Sequence, residues 1–246
     1  MCWSGEASAA IAVCGMASGI YSLKRGDSWM LWVPVFYFAG MEILQAFSYS
    51  VLDECALKSN RLATLIAYIH ISFQPLIINI FCLYFIPKEI RDKIQYWVLG
   101  ICLLASLLFL ARIFPLDLPS CLGMFYTTPF CPECKLPIPM CGSELCTVSG
   151  TWHLAWSVPL GFHPVLDNAY TFAVLILPLI YGAWRISIYL FLIGPLLAYL
   201  TTDDPNEWPA IWCLLSTIIV GLTLFPKLRK WVEVKSYYGK GFSSRR

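Results

Sequence analysis

The sequence predicts an all-α fold. The expected form is a polytopic membrane protein, a seven-transmembrane-helix bundle with its N-terminus outside and its C-terminus in the cytoplasm. Three observations predict it. Of 246 residues, 59% are hydrophobic and only 13% charged, where water-facing domains carry about 25% charged residues. Seven stretches approach the roughly 20 apolar residues that cross a bilayer. Lysine and arginine are divided unevenly between the two sets of loops, the asymmetry that orients membrane proteins.

A single integral membrane domain, 1–246, holds the seven spans. The first, 7–23, is rich in Ala, Gly and Ser. Its start, Met1-Cys2-Trp3-Ser4-Gly5-Glu6, lacks the basic n-region of a signal peptide, so this segment is expected to stay in the membrane. Gly15-Met16-Ala17-Ser18-Gly19 forms a small-xxx-small face that allows close helix approach within the bundle. Spans 28–52, 62–86 and 94–114 follow, then a polar, Cys-rich outer loop, 115–165. Spans 166–184 and 186–202 are separated by Arg185 alone, so they share a tight end or form one re-entrant hairpin; 209–225 is the last. Pro34, Pro75, Pro178 and Pro195 lie inside spans, where neighbouring helices re-satisfy the freed carbonyls.

Lys24, Arg25, Lys88, Arg91, Lys93, Arg185 and the seven basic residues of the tail 226–246 fall on one side. Lys58, Arg61, Arg112 and Lys135 fall on the other. The richer side is read as cytoplasmic, which suits a plasma or bacterial inner membrane. The basic tail, with Trp231, Tyr237 and Tyr238, suits anionic headgroups. The net charge of only +2 points away from a nucleic-acid partner. Association into an oligomer stays open.

Of eleven cysteines, Cys14, Cys82, Cys102 and Cys213 lie in spans and read as small apolar fillers. Cys55, Cys121, Cys131, Cys134, Cys141 and Cys146 fall outside, where an oxidising compartment favours disulfides. Six cysteines allow 15 pairings, and the sequence leaves the choice open. Two alternatives compete. Cys131-Pro132-Glu133-Cys134 has the spacing of a thiol-disulfide oxidoreductase. Cys131, Cys134, Cys141 and Cys146 have a spacing that suits tetrahedral zinc.

Ionisable residues inside spans mark functional sites. Glu42 lies ten residues before Leu52, roughly 15 Å below the outer end of its helix. Gln45 shares its face. His70, in the antiparallel third span, lies roughly 12 Å deep from the same side, with Gln74 one turn further on. The four are expected to converge in an outward-facing polar pocket for a small ligand, with Glu42 as a proton-coupling carboxylate if the protein is a transporter. Asn79 is about 140° around the helix from Gln74 and falls outside the set. A structural clamp between two helices is the plainer alternative. His153, His163 and Asp167 are expected at the rim. With His70 they form a candidate zinc or iron site for a metal-dependent hydrolase acting on a lipid-like substrate, although no two histidines have helical i+3 or i+4 spacing.

Several stretches carry a resemblance. They are Met1-Cys2-Trp3-Ser4, Met41-Glu42-Ile43-Leu44-Gln45, Asp53-Glu54-Cys55 and His70-Ile71-Ser72-Phe73-Gln74-Pro75. Further on come Leu145-Cys146-Thr147-Val148-Ser149-Gly150-Thr151-Trp152-His153, Tyr181-Gly182-Ala183-Trp184-Arg185 and Asp204-Pro205-Asn206-Glu207. Together they resemble, over most of the chain, an uncharacterised family of multi-pass proteins beginning Met-Cys-Trp-Ser. The resemblance implies a membrane domain and no particular activity. Known seven-span classes fit less well. Span 209–225 has no lysine for retinal. The His-x-x-x-His pair of ceramidase-like and adiponectin-receptor-like hydrolases is missing, as are the Asp-Arg-Tyr and Asn-Pro-x-x-Tyr motifs of G-protein-coupled receptors.

Overall fold

The computed structural model describes residues 3–114, 139–160, 164–213, 215–234, 236–237 and 240–241. Of these, 164–167, 215–216, 236–237 and 240–241 are described by backbone alone. The chain is mostly helical, with two minor antiparallel strand pairs among the described residues, 146–157 and the short 236–241.

Four long helices come first. Helix α1, Gly5–Lys24, starts where the Ser4 hydroxyl accepts from the Ala7 N–H, the ordinary N-cap bond. It ends at Gly26, whose φ of 75° lets the chain reverse. Ser28 caps α2, Trp29–Tyr49, by accepting from the Met30 N–H. Helix α3, Lys58–Tyr84, and helix α4, Lys88–Ala111, follow. The small-xxx-small face of α1 packs on α2. A methyl group on Gly15 would stand 2.8 Å from Ala39 Cβ, and one on Gly19 would stand 2.6 Å from the Phe36 ring. Larger residues there would push the two helices apart.

The second half is broken. Helix α5 (164–180) contains a π turn, Phe172–Ile176, between Pro164–Thr171 and Leu177–Ile180. Helix α6, Trp184–Thr201, contains another, Leu192–Leu196, around Pro195. Such turns leave backbone carbonyls unpaired, and side chains collect them. Asn79 of α3 donates to Ala173 O in the first π turn and to Pro75 O of its own helix, 2.8 Å each, and its own oxygen accepts from the Tyr181 hydroxyl at 2.8 Å. Ser187 donates to Leu175 O at 2.5 Å. A turn at Gly182 (φ 94°) joins α5 to α6. Helix α7, Trp208–Leu224, is bent by 107° from α8, Pro226–Val232.

Five described helices are long and apolar enough to cross a membrane: α1, α2, α3, α4 and α6. The bent pair α7 and α8 makes a sixth if counted as one span, while Asn168–Ile180 of α5 is a shorter apolar helix. Their outward faces carry Val13, Ile43, Phe47, Leu62, Leu104, Ile188 and Leu200. That apolar exterior fits a lipid solvent, because soluble monomers expose only small apolar patches.

The purely α expectation is corrected at residues 146–157. Strands β1, Cys146–Ser149, and β2, Leu154–Ser157, pair antiparallel, with Thr147 opposite Trp156. A lone two-stranded hairpin is marginal in water, and this one is held by neighbours from every side. The Asn60 amide donates to Val51 O and Thr147 O and accepts from the Thr147 N–H. Thr64 and Thr147 hydroxyls meet at 2.7 Å. The Asp53 carboxylate accepts from both the Ser149 N–H and its hydroxyl.

The bundle thus has two distinct ends. One carries the hairpin. At the other, Arg229 donates to Asp27 at 2.9 and 3.2 Å and to Leu222 O at 3.0 Å. There too the Asp27 hydrogen bond raises the pKa of Arg25.

Candidate functional site: a buried polar cluster beneath a pinned hairpin

Glu42 and Gln45 sit one turn apart on the inner face of α2, 2% and 0% exposed. Ser8 of α1 bonds the Glu42 side chain, and Ser8 in turn accepts from Trp3 Nε1 at 3.0 Å. The Cys213 thiol of α7 faces Gln45 and lies within electrostatic reach of Glu42, Tyr37 and Tyr170. The Tyr170 hydroxyl donates to Gln74 Oε1 at 2.6 Å. His70 is on the same side of α3: its ring stacks on Tyr37, centroids 3.8 Å apart, and its backbone carbonyl accepts from the Tyr37 hydroxyl. Glu42, Gln45, His70 and Gln74 therefore border one cluster. No hydrogen bond joins Glu42 directly to His70 among the described residues; Tyr37, Cys213 and Tyr170 lie between the two helices' contributions.

The cluster holds several buried polar atoms without a hydrogen-bond partner among the described residues: Glu42 Oε2, both side-chain amide atoms of Gln45 and His70 Nε2. Native interiors pair the great majority of such atoms. Two cavities lie away from this cluster. The larger is an open groove of about 440 Å³ on the outer flank of α4 and α5, lined by Leu104, Leu108 and Phe172.

Above the cluster sits the hairpin. His153, 1% exposed, stacks on Trp3 and meets the Tyr49 hydroxyl at 3.0 Å. Burial pushes its pKa down to about 3. The turn before it is gripped by Glu207, whose carboxylate accepts from the backbone N–H groups of Thr151, Trp152 (3.0 Å) and His153 (3.1 Å). Gly150 is required beneath that carboxylate, since a Cβ there would overlap it. The Trp3 N–H donates to Trp152 O at 3.1 Å and the Trp156 N–H to Asn206 O at 3.2 Å. Sequence reasoning singled out both stretches but missed their union. The signal was an acidic loop, 203–207, with no basic residue near it in sequence.

His70 and His153 do not meet. One stacks on Tyr37 and the other contacts Tyr49, and twelve residues of helix separate those tyrosines by roughly 18 Å. Among the described residues no group of three His, Cys, Asp or Glu is placed to hold a metal. His163 lies outside the described residues, and Asp167 falls on α5 where only the backbone is described.

Cys55 is bonded to Cys146 with Cα atoms 5.1 Å apart, tying the loop after α2 to β1, and Cys141 is disulfide-bonded as well. Cys121, Cys131 and Cys134 lie outside the described residues, and with them the thiol-redox pair. The four span cysteines, Cys14, Cys82, Cys102 and Cys213, are free thiols.

No curated protein and no solved structure matches the chain. Residues 6–233 match a family of unknown function, DUF5765, and since that match covers most of the sequence, the chain belongs to this family.

Proposed function

We propose that this is a seven-span membrane protein that binds or carries a small polar ligand in the cluster around Glu42, reached from the hairpin end. That end lies outside the membrane and the basic end in the cytoplasm. The observation that carries the reading is the set of unpartnered polar atoms on Glu42, Gln45 and His70. Each orphan of this kind costs about 1–3 kcal/mol, so a cluster of them inside an apolar bundle favours uptake of a polar guest that pairs with them. Among the described residues no cation pairs with Glu42, which leaves its carboxyl free to exchange a proton or meet a polar guest. Two polar contacts flank the way outward, Ser8 with Trp3 and Tyr49 with His153. The outward orientation is supported by the disulfides at the hairpin end and the cationic residues at the other.

The test is a thermal-shift screen of the purified protein against amino acids, sugars and small amines, run in parallel on Glu42→Gln and Gln45→Leu. A compound that stabilises the wild type and neither variant supports the reading. Stabilisation indifferent to both substitutions, or no stabilising compound in any class, rejects it. Tags at both termini that report the same side of the membrane would reject the seven-span orientation separately.

A further inference from the structure

The basic end carries a second feature, independent of the Glu42 cluster. Helix α8 turns 107° away from α7. It therefore runs nearly at right angles to a helix that crosses the bundle. Three faces follow from its sequence, Pro226-Lys227-Leu228-Arg229-Lys230-Trp231-Val232. Arg229 and Val232 are buried, and Arg229 fastens the helix inward through Asp27 and the carbonyls of Leu222 and Thr223. Leu228 and Trp231, 45% and 63% exposed, continue an apolar strip from Phe225. Lys227 and Lys230, one turn apart, are exposed on the remaining face and make no ion pair among the described residues.

A cationic face beside an exposed Leu and Trp, on a helix held crosswise to the bundle, is the pattern of a segment lying in a membrane interface. The neighbours mark the same level. Tyr21, Trp29 and Trp184 are exposed within one turn of the ends of α1, α2 and α6 at this end of the bundle, as in the aromatic belt at a bilayer surface. Arg185 covers both Trp184 and Trp231 and donates to Trp231 O, fixing the position of α8 against α6.

We propose that α8 forms a binding site for anionic phospholipid. Leu228 and Trp231 enter the acyl boundary while Lys227 and Lys230 hold the headgroup phosphate.

Full-length protein, delipidated in detergent and titrated with phosphatidylglycerol or phosphatidylcholine, tests this by native mass spectrometry of the lipid-bound fraction. A lysine near an anionic headgroup contributes about a fivefold gain in affinity, so the pair predicts a preference for phosphatidylglycerol of roughly 25-fold. Lys227→Gln/Lys230→Gln is expected to abolish it without changing the unfolding temperature, since both side chains are exposed. Lys88→Gln/Lys93→Gln, at the same end but on α4, is expected to retain it. A wild type without the preference, an α8 variant that keeps it, or equal loss from the α4 pair would overturn the site.

Discussion

Tyr49 and His153, 104 positions apart in sequence, share one proton-free nitrogen. Nδ1 of His153 lies 3.0 Å from the Tyr49 hydroxyl and 2.7 Å from the Leu154 N–H. An amide N–H can only donate, so Nδ1 is an acceptor and the ring is held neutral. The pKa of His153, lowered to about 3 by burial against an ordinary value near 6.5, says the same. The folded state thus binds fewer protons than the unfolded state between those two values, so stability rises with pH across that window. It is fully present above about pH 6.5 and is lost as pH falls towards 3. We expect lower protection factors across 146–157 at pH 5 than at pH 7.5 by hydrogen–deuterium mass spectrometry, each rate being divided into the intrinsic amide rate at its own pH, and a weaker pH response in His153→Gln.

Glu207 grips three consecutive backbone donors with one carboxylate. Glu207→Gln replaces one acceptor by an amide N–H₂ that faces those donors. The expected cost is about 1–3 kcal/mol, read as a lower unfolding temperature of the purified protein. Gly150→Ala, which drives a methyl group into the same carboxylate, is expected to act in the same direction.

Arg229 is buried at the basic end with Asp27 as its anion. Asp27→Asn leaves that guanidinium without a countercharge, and breaking a buried pair from one side costs about 3–5 kcal/mol. The companion Asp27→Asn/Arg229→Met is expected to recover much of the loss, a comparison that thermal denaturation of both variants makes directly.

Asn79 serves α5 rather than the Glu42 cluster. Asn79→Leu removes the donor to Pro75 O and Ala173 O and the acceptor for Tyr181. We expect a loss of about 1–3 kcal/mol for the groups left unpaired, with ligand stabilisation of the Glu42 cluster otherwise retained.

The helical half of this architecture was legible because hydrocarbon demands long apolar runs, and the starts and stops of α1 to α3 fall within a few residues of those runs. Helix α4 begins earlier than its apolar run. Pro87 opens it, and the charged turn from Lys88 to Lys93 is helical although it is not apolar. The depth argument that grouped Glu42, Gln45, His70 and Gln74 needed only rise per residue and antiparallel direction. It did not reveal Cys213 and Tyr170, which enter the cluster from α7 and α5, because those helices are placed by long-range packing. The hairpin was missed for a related reason. Its short strands have little propensity of their own and are defined by Asn60, Asp53 and Glu207, all remote in sequence.

The Cys55–Cys146 bond spans 91 positions and lies at the hairpin end. A single backbone cut anywhere between those two cysteines would leave both pieces joined as one covalent species. A protease acting on that face would thus produce a nicked molecule that migrates intact until a reductant separates it.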